Sequence, residues 1–460
     1  MKPINFIKLA EICWFNCIDR RSLGEKGVLE LEITNVCIDS RKVTPGSVFF
    51  AIKGENHDGH NYLEQAFENG AACAVISDQS KSISRKPIIC VADTITALGR
   101  LAKYVRQNSS YKVVALTGSA GKTTTKNIIS HILKNYFECY SSPKSFNNNI
   151  GVPLTILDAP QDTEILISEL GSNHPGEIAQ LTKIIQPDIA AITTICPAHL
   201  EGFGSVNAII KEKVSITAGL NAGGKFFVNG NIEKLVDYCR DKNLPFETFG
   251  VSDCKLEGDK STFVIDNVTV HLPLAGRANV ENAMAAWAVC KSLGISAKEF
   301  AEAIVSIKPV DMRLEILQLE KGVAVIADCY NANPGSMANA IETLSLMAKQ
   351  KDKRAVFIFG RMGELGDHSE RLHAELGEKI AQYEIPVALT IKGDCSIAAA
   401  TAEKYANYGI SVNVFENLVQ LCDNLHKIIK PDDIILIKAS RSERFEAVID
   451  KLKGLFIGRQ

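Results

Sequence analysis

No stretch of this 460-residue chain reaches the roughly 18 uninterrupted apolar residues that a membrane-spanning helix needs. The first residues, MKPINFIKLAEICWF, lack a charged start leading into an apolar block and a small-residue cleavage site, so no signal peptide is expected. Charge of one sign is missing too. Lys and Arg number 51 against 53 Asp and Glu, for a net charge of −2. That balance excludes the basic footprint of a nucleic-acid binder and electrostatic adhesion to anionic membranes. Thirteen cysteines lie between Cys13 and Cys422, with no Cys-x-x-Cys pair and no metal-like cluster. An odd number spread along a long chain fits a reducing compartment better than a disulfide framework. Internal repeats and low-complexity tracts are absent as well. These absences lead to the expectation of a cytoplasmic protein, with no nucleic-acid partner and no integral membrane segment.

What is present has the proportions of a globular protein, 46% hydrophobic and 23% charged. The length suggests about three domains. Residues 1–108 carry short β-like runs at 48–52, 72–76 and 87–92, with a turn-rich stretch at 53–60 and an amphipathic helix near 61–70. A second block, 109–316, opens with the apolar strand KVVALTG at 112–118. A Gly-rich turn follows, then a helix with Ile128, Ile129, Ile132 and Leu133 on one face. Further strands are expected at 164–170 and 188–195. The third block, 317–460, alternates strands (323–330, 355–360, 387–391, 434–439) with helical segments, the pattern of a parallel sheet covered by helices. The fold class read from this is α/β in three domains: a small N-terminal α/β unit, a central P-loop mononucleotide-binding parallel-sheet domain, and a C-terminal Rossmann-like domain.

The strongest local signal is Thr117-Gly118-Ser119-Ala120-Gly121-Lys122-Thr123-Thr124-Thr125, set between a buried strand and an amphipathic helix. Glycines let backbone N–H groups turn inward on phosphate oxygens, and the helix N-terminus adds partial positive charge. Lys122 is placed to neutralise the β and γ phosphates and the Thr123 hydroxyl to ligate Mg²⁺. The strict P-loop pattern wants glycine at position 116, where this chain has leucine. Glu169 ends the strand at 164–170, and parallel strands deliver ligand residues at their carboxyl ends. His199 follows the next strand. Taken alone, a histidine there is more often a structural hydrogen-bonder than a ligand.

Read in order, the segments Asp39-Ser40-Arg41-Lys42-Val43-Thr44-Pro45-Gly46, His57-Asp58-Gly59-His60, the Gly-rich turn, Phe146-Asn147-Asn148-Asn149-Ile150-Gly151, Ala198-His199-Leu200-Glu201-Gly202-Phe203 and Asp328-Cys329-Tyr330-Asn331-Ala332-Asn333-Pro334 resemble the Mur ligase family. The resemblance covers almost the whole chain, and its combination of motifs matches the branch that adds D-alanyl-D-alanine. It implies an ATP- and Mg²⁺-dependent ligase. The terminal carboxylate of a UDP-N-acetylmuramoyl-tripeptide is phosphorylated by ATP, and the amine of D-alanyl-D-alanine then displaces phosphate. The resemblance also implies roles for residues. Gly118, Ser119, Ala120, Gly121, Lys122, Thr123 and Thr124 hold ATP phosphates, with Thr123 and Glu169 on one magnesium ion and His199 helping to hold a second. Lys213 matches a lysine that is carbamylated in related ligases, which turns a repelling ammonium into an anionic oxygen ligand. Asn279 is the expected adenine contact, and Arg313 meets ATP phosphate as the last domain swings in. Asp328, Tyr330, Asn331 and Asn333 close over ATP and position the dipeptide. Ser40 and Arg41 serve the UDP-sugar. A monomer is expected.

Five positions depart from the family pattern: Thr194 for asparagine, Ser215 for an acidic residue, Ala278 for histidine, Arg361 for aspartate and Ala439 for glycine. They leave two alternatives open: a sister ligase adding another amino acid, and a non-catalytic relative that keeps the nucleotide site.

Overall fold

The computed structural model describes residues 1–15, 17–18, 31–83, 85–251, 253–456. Among the described residues, three sheets of five or six strands stand in chain order, with a two-stranded and a three-stranded sheet beside them. The first has five strands in the order Cys17–Ile18, Ile88–Cys90, Cys73–Ile76, Ser47–Phe50, Asn35–Cys37, parallel but for the antiparallel Cys17–Ile18 edge. The runs Ser47–Phe50, Cys73–Ile76 and Ile88–Cys90 are buried at every position, as expected of strands covered on both faces.

The second sheet has six parallel strands: Glu247–Phe249, Lys225–Asn229, Ile189–Ile192, Lys112–Thr117, Ile165–Glu169, Cys139–Ser141. Lys112–Thr117 lies at its centre, where the chain order reverses. Ligands of open α/β sheets bind outside the carboxyl ends of strands at such a point. Ile192 is in register with Thr117 and Glu169 with Leu116, so three strand ends meet at one edge. A three-stranded antiparallel sheet, Cys254–Glu257, Lys260–Ile265 and Val268–Leu272, was not anticipated. Its inward Phe263, Ile265, Val270 and Leu272 join the core formed with the helix Arg277–Ser292 and the phosphate-loop helix Lys122–Leu133.

The third sheet runs Glu315–Gln318, Ala324–Ala327, Ile434–Lys438, Ala355–Phe359, Val387–Ile391, Ser411–Phe415. All neighbours are parallel except Glu315–Gln318, which pairs antiparallel with Ala324–Ala327. Its first strand begins at Glu315, slightly ahead of the sequence-derived start at residue 317. Strand alternation located the buried strands and missed both half-exposed edges, Glu315–Gln318 and Ser411–Phe415, whose patterns are not purely apolar.

The central and C-terminal units are in contact. Leu200, Phe203 and Ile209 of the central unit are buried in one core with Ala332, Met337, Met362 and Leu365 of the last. Tyr330 Oη and Ser145 Oγ are 2.6 Å apart. Cys196 Sγ donates to Asn333 Oδ1 at 3.3 Å. No described helix is long and apolar enough to cross a membrane.

Candidate active site

The turn after Lys112–Thr117 is built by two glycines that no other residue can replace. Gly118 has φ +149° and Gly121 φ +84°. A Cβ at the first would collide with Thr193 Oγ1, and at the second with Asn282 Oδ1. The loop is then tied to the neighbouring strand end. Ser119 N donates to Thr194 O at 2.8 Å, and Thr193 Oγ1 donates to Ala120 O at 2.6 Å. Threonine at 194 serves through its carbonyl, so its departure from the family pattern leaves this bond unaffected.

Gly121 caps the helix Lys122–Leu133, which aims its free N–H groups at the loop. Lys122 Nζ donates to Gly118 O at 2.7 Å, and desolvation holds its pKa below the usual lysine value. Thr123 Oγ1 donates to Glu169 Oε2 at 2.8 Å. Glu169 is fully buried, and its Oε1 has no hydrogen-bond partner among the described residues. A bare carboxylate oxygen inside a protein is costly unless something charged arrives to meet it.

A cavity of about 850 Å³ opens above these groups. From the phosphate turn it is lined by Ser119, Ala120, Gly121, Lys122, Thr123 and Thr124. The central unit adds His199, Ala278 and Asn279, and the linker and last unit add Arg313, Asp328, Tyr330, Asn331 and Asn333. Two candidates lie just behind the lining. Glu169 touches it through Thr123, and Lys213 through Ser172, whose Oγ accepts from Lys213 Nζ at 2.8 Å. Lys213 is almost fully buried. Burial first, then the charge of Lys122, brings its pKa down to about 7, against the pull of Glu212 and Glu177. Glu212 is occupied elsewhere, accepting from Gly176 N and Ile178 N at the start of the helix Glu177–Ile185.

Several candidates have structural occupations as well. Asn279 Nδ2 donates to Ala275 O at 2.8 Å, and its Oδ1 accepts from Asn282 Nδ2 at 3.4 Å, so both ends of the amide are engaged within its helix turn. Asn333 caps the helix Pro334–Lys351, its Oδ1 accepting from Ser336 N at 2.8 Å. The Arg313 guanidinium sits 4.2 Å from the centre of the Tyr330 ring. Ser40 and Arg41 are apart from all of these, on the short helix Ser40–Lys42 of the first unit. Ser40 Oγ donates to Gln65 Oε1 at 2.6 Å, and Arg41 pairs with Asp39 at 2.8 Å.

Residues 116–290 match the Mur ligase middle domain, 312–441 the Mur ligase glutamate ligase domain, and 32–106 the Mur ligase family catalytic domain. The chain belongs to the Mur ligase family. A Bacillus subtilis relative, named UDP-N-acetylmuramoyl-tripeptide–D-alanyl-D-alanine ligase, is 34% identical over 431 residues, 91% of this chain and 93% of its own. An Escherichia coli relative of the same name is 33% identical over 446 residues, covering 94% of this chain and 96% of its own. Among solved structures, MurF from Acinetobacter baumannii superposes with a TM-score of 0.89 at 29% identity, covering 99% of both chains. MurF from Thermotoga maritima in complex with ADP gives 0.80 at 27% identity, with 91% of this chain and 97% of that one covered.

In this Mur ligase the structure adds two residues that sequence reasoning left without a role. Lys438 ends the strand Ile434–Lys438 and is buried. It pairs with Asp328 Oδ2 at 2.6 Å and donates to Asn331 O at 3.0 Å. Burial still holds the Asp328 carboxyl above its usual range, Lys438 opposing. Glu364, from the loop after Ala355–Phe359, pairs with His199 Nδ1. Both stand at or beyond carboxyl ends of parallel strands, which was the available signal. Arg361 of the Mur ligase pairs with Glu443 at 3.5 Å within its own unit and does not line the cavity.

Proposed function

We infer that this chain is an ADP-forming, ATP-dependent ligase that joins D-alanyl-D-alanine to UDP-N-acetylmuramoyl-tripeptide, giving the pentapeptide precursor of peptidoglycan. The observation that carries this reading is end-to-end similarity, at 30–34% identity, to relatives named for that reaction. The cavity walled by a phosphate turn on one side and the Asp328–Asn333 loop on the other supports it.

The reaction divides into two displacements. A carboxylate oxygen of the tripeptide attacks the γ phosphorus of ATP, the bridge to the β phosphate breaks, and ADP leaves with that electron pair. The amine of D-alanyl-D-alanine then attacks the acyl carbon, loses a proton, and phosphate departs as the amide forms. The first displacement brings anions together, so the site must supply positive charge. Lys122 and the N-terminus of Lys122–Leu133 supply it from the phosphate turn, with Gly118, Ser119, Ala120, Gly121 and Thr124 offering the surrounding cradle. Arg313 adds a further cation to the lining.

The donor set fits Mg²⁺. The ion typically takes one or two carboxylates and completes its shell with phosphates and water. The orphaned Glu169 oxygen beside the Thr123 hydroxyl meets that description. Mg²⁺ bound there supplies Lewis-acid screening of the phosphates. We assign His199 and a carbamylated Lys213 to a second ion. An amine whose pKa lies near 7 is partly neutral at physiological pH, which carbamate formation requires.

Asn279 is assigned to the adenine side, Asp328 and Asn333 to ATP as the last unit closes, and Tyr330 and Asn331 to the dipeptide. Ser40 and Arg41 are assigned to the UDP-sugar. The domains proposed are 1–108 for UDP-muramoyl-peptide, 109–316 for ATP and 317–460 for closure, with the linker through Arg313 as the hinge. We place the monomeric enzyme in the cytoplasm. Phosphate release measured with ATP, Mg²⁺ and the tripeptide substrate, with and without D-alanyl-D-alanine, tests the reading. Release that requires both substrates, together with a pentapeptide mass, is expected. Release supported only by a different amino acid would move the chain to a sister activity.

A further inference from the structure

His199 and Glu364 are 165 residues apart in sequence and belong to different units, yet their side chains are paired through Nδ1 and Oε2. Two further contacts hold the same segment. Glu201 N donates to Glu364 O at 3.1 Å, and Leu200 and Phe203 are buried in the core of the C-terminal unit. A Cβ added at Gly366 would lie 3.3 Å from Glu201 Cα, so the loop backbone runs close against the segment. His199 itself has φ +52°, a left-handed backbone at the start of the short helix Leu200–Phe203. The segment Ala198–Phe203 thus belongs to the central unit by chain connection and to the C-terminal unit by packing.

We propose that Glu364 is a positioning residue for His199, and that the histidine is oriented for metal binding only while the C-terminal unit is docked. A carboxylate accepting from Nδ1–H fixes the tautomer and leaves the Nε2 lone pair free for a ligand. The acceptor comes from the last unit, so separating the units removes the acceptor and uncovers Leu200 and Phe203 together. Completion of the second ion's site is thereby tied to closure. The proposal rests on the assignment of His199 to a metal ion made above.

The test uses the full chain with ADP, and Mn²⁺ as the probe, titrated by electron paramagnetic resonance. His199→Ala defines the Mn²⁺ affinity that depends on the ring. Glu364→Ala is expected to weaken that same affinity by about 10–100-fold, leaving the Mn²⁺ that depends on Glu169 in place. Glu364→Gln, whose amide oxygen still accepts from Nδ1–H, is expected to restore most of it. The double variant His199→Ala with Glu364→Ala should bind no more weakly than His199→Ala alone. Wild-type affinity in Glu364→Ala, or fully additive losses in the double variant, would overturn the proposal. Wild-type affinity in His199→Ala would overturn the metal assignment and this proposal with it. Product formation by the wild-type chain is scored separately, so a failure of the ligase reading is recognised as such.

Discussion

Thr123 Oγ1 donates to one oxygen of Glu169 across 2.8 Å, while the other oxygen of that buried carboxylate has no partner among the described residues. Glu169→Gln keeps an acceptor for Thr123 and exchanges one unsatisfied polar atom for another, so folding stability should change by no more than about 1 kcal/mol. Turnover should fall by about 100-fold or more, because the negative charge that holds Mg²⁺ is gone. Thermal melts of the metal-free protein, set beside phosphate release, check both halves. A normal rate in the variant would remove Glu169 from the metal site.

Lys213 makes a prediction with a sign. Its pKa is about 7 in the folded protein, against roughly 10.4 in an unfolded chain. Between those values the unfolded state holds more protons, so this group makes stability rise with pH from about 7 upward; below 7 the full cost of burying the ammonium is present. Lys213→Met should flatten that part of the stability curve for metal-free protein in bicarbonate-free buffer. Denaturant titrations at several pH values supply the comparison, and parallel curves for the two proteins would contradict it.

The buried Lys438–Asp328 pair predicts a different response. Lys438→Met leaves Asp328 buried and unpaired, at a cost of about 3–5 kcal/mol, whereas pairing it with Asp328→Asn should recover a large part. A double-mutant cycle in denaturant measures the coupling. Independent, additive losses would mean that the two side chains do not stabilise each other.

Gly360 follows the strand Ala355–Phe359, and a Cβ there would lie 2.7 Å from Ala439 Cβ and 2.8 Å from Phe445 Cε2. Gly360→Ala is expected to destabilise by about 1–3 kcal/mol through overpacking. Adding Ala439→Gly should relieve part of the loss. The departure at 439 is therefore accommodated by a glycine opposite it, and the melting temperatures of the single and double variants test that reciprocity.

Much of the fold was legible in the residues. Buried parallel strands announce themselves as short apolar runs, and each such run, from 48–52 to 434–439, contains a strand of the structure. The antiparallel sheet at 254–272 was overlooked because its strands are only partly buried and carry lysines and a glutamate, so they form no continuous apolar run. Within the site, the phosphate turn was readable because its spacing and its chemistry coincide. Glu364 and Lys438 were not, because a single acidic or basic residue in a loop or at a strand end carries no local pattern. Each gains its role from a partner more than a hundred residues away.

The sequence by itself determined the apolar strands from 48–52 to 434–439, the phosphate turn with Lys122 and Thr123, and the family to which the chain belongs. Backbone requirements for glycine and the periodicity of burial are local properties, so they survive in one dimension. Only the tertiary structure decided that Glu169 keeps an oxygen without a partner among the described residues, that burial brings the Lys213 pKa down to about 7, and that His199 is held by Glu364 from another unit. Those are matters of desolvation and long-range pairing, and both depend on which distant residues the fold brings within a few ångströms of each other.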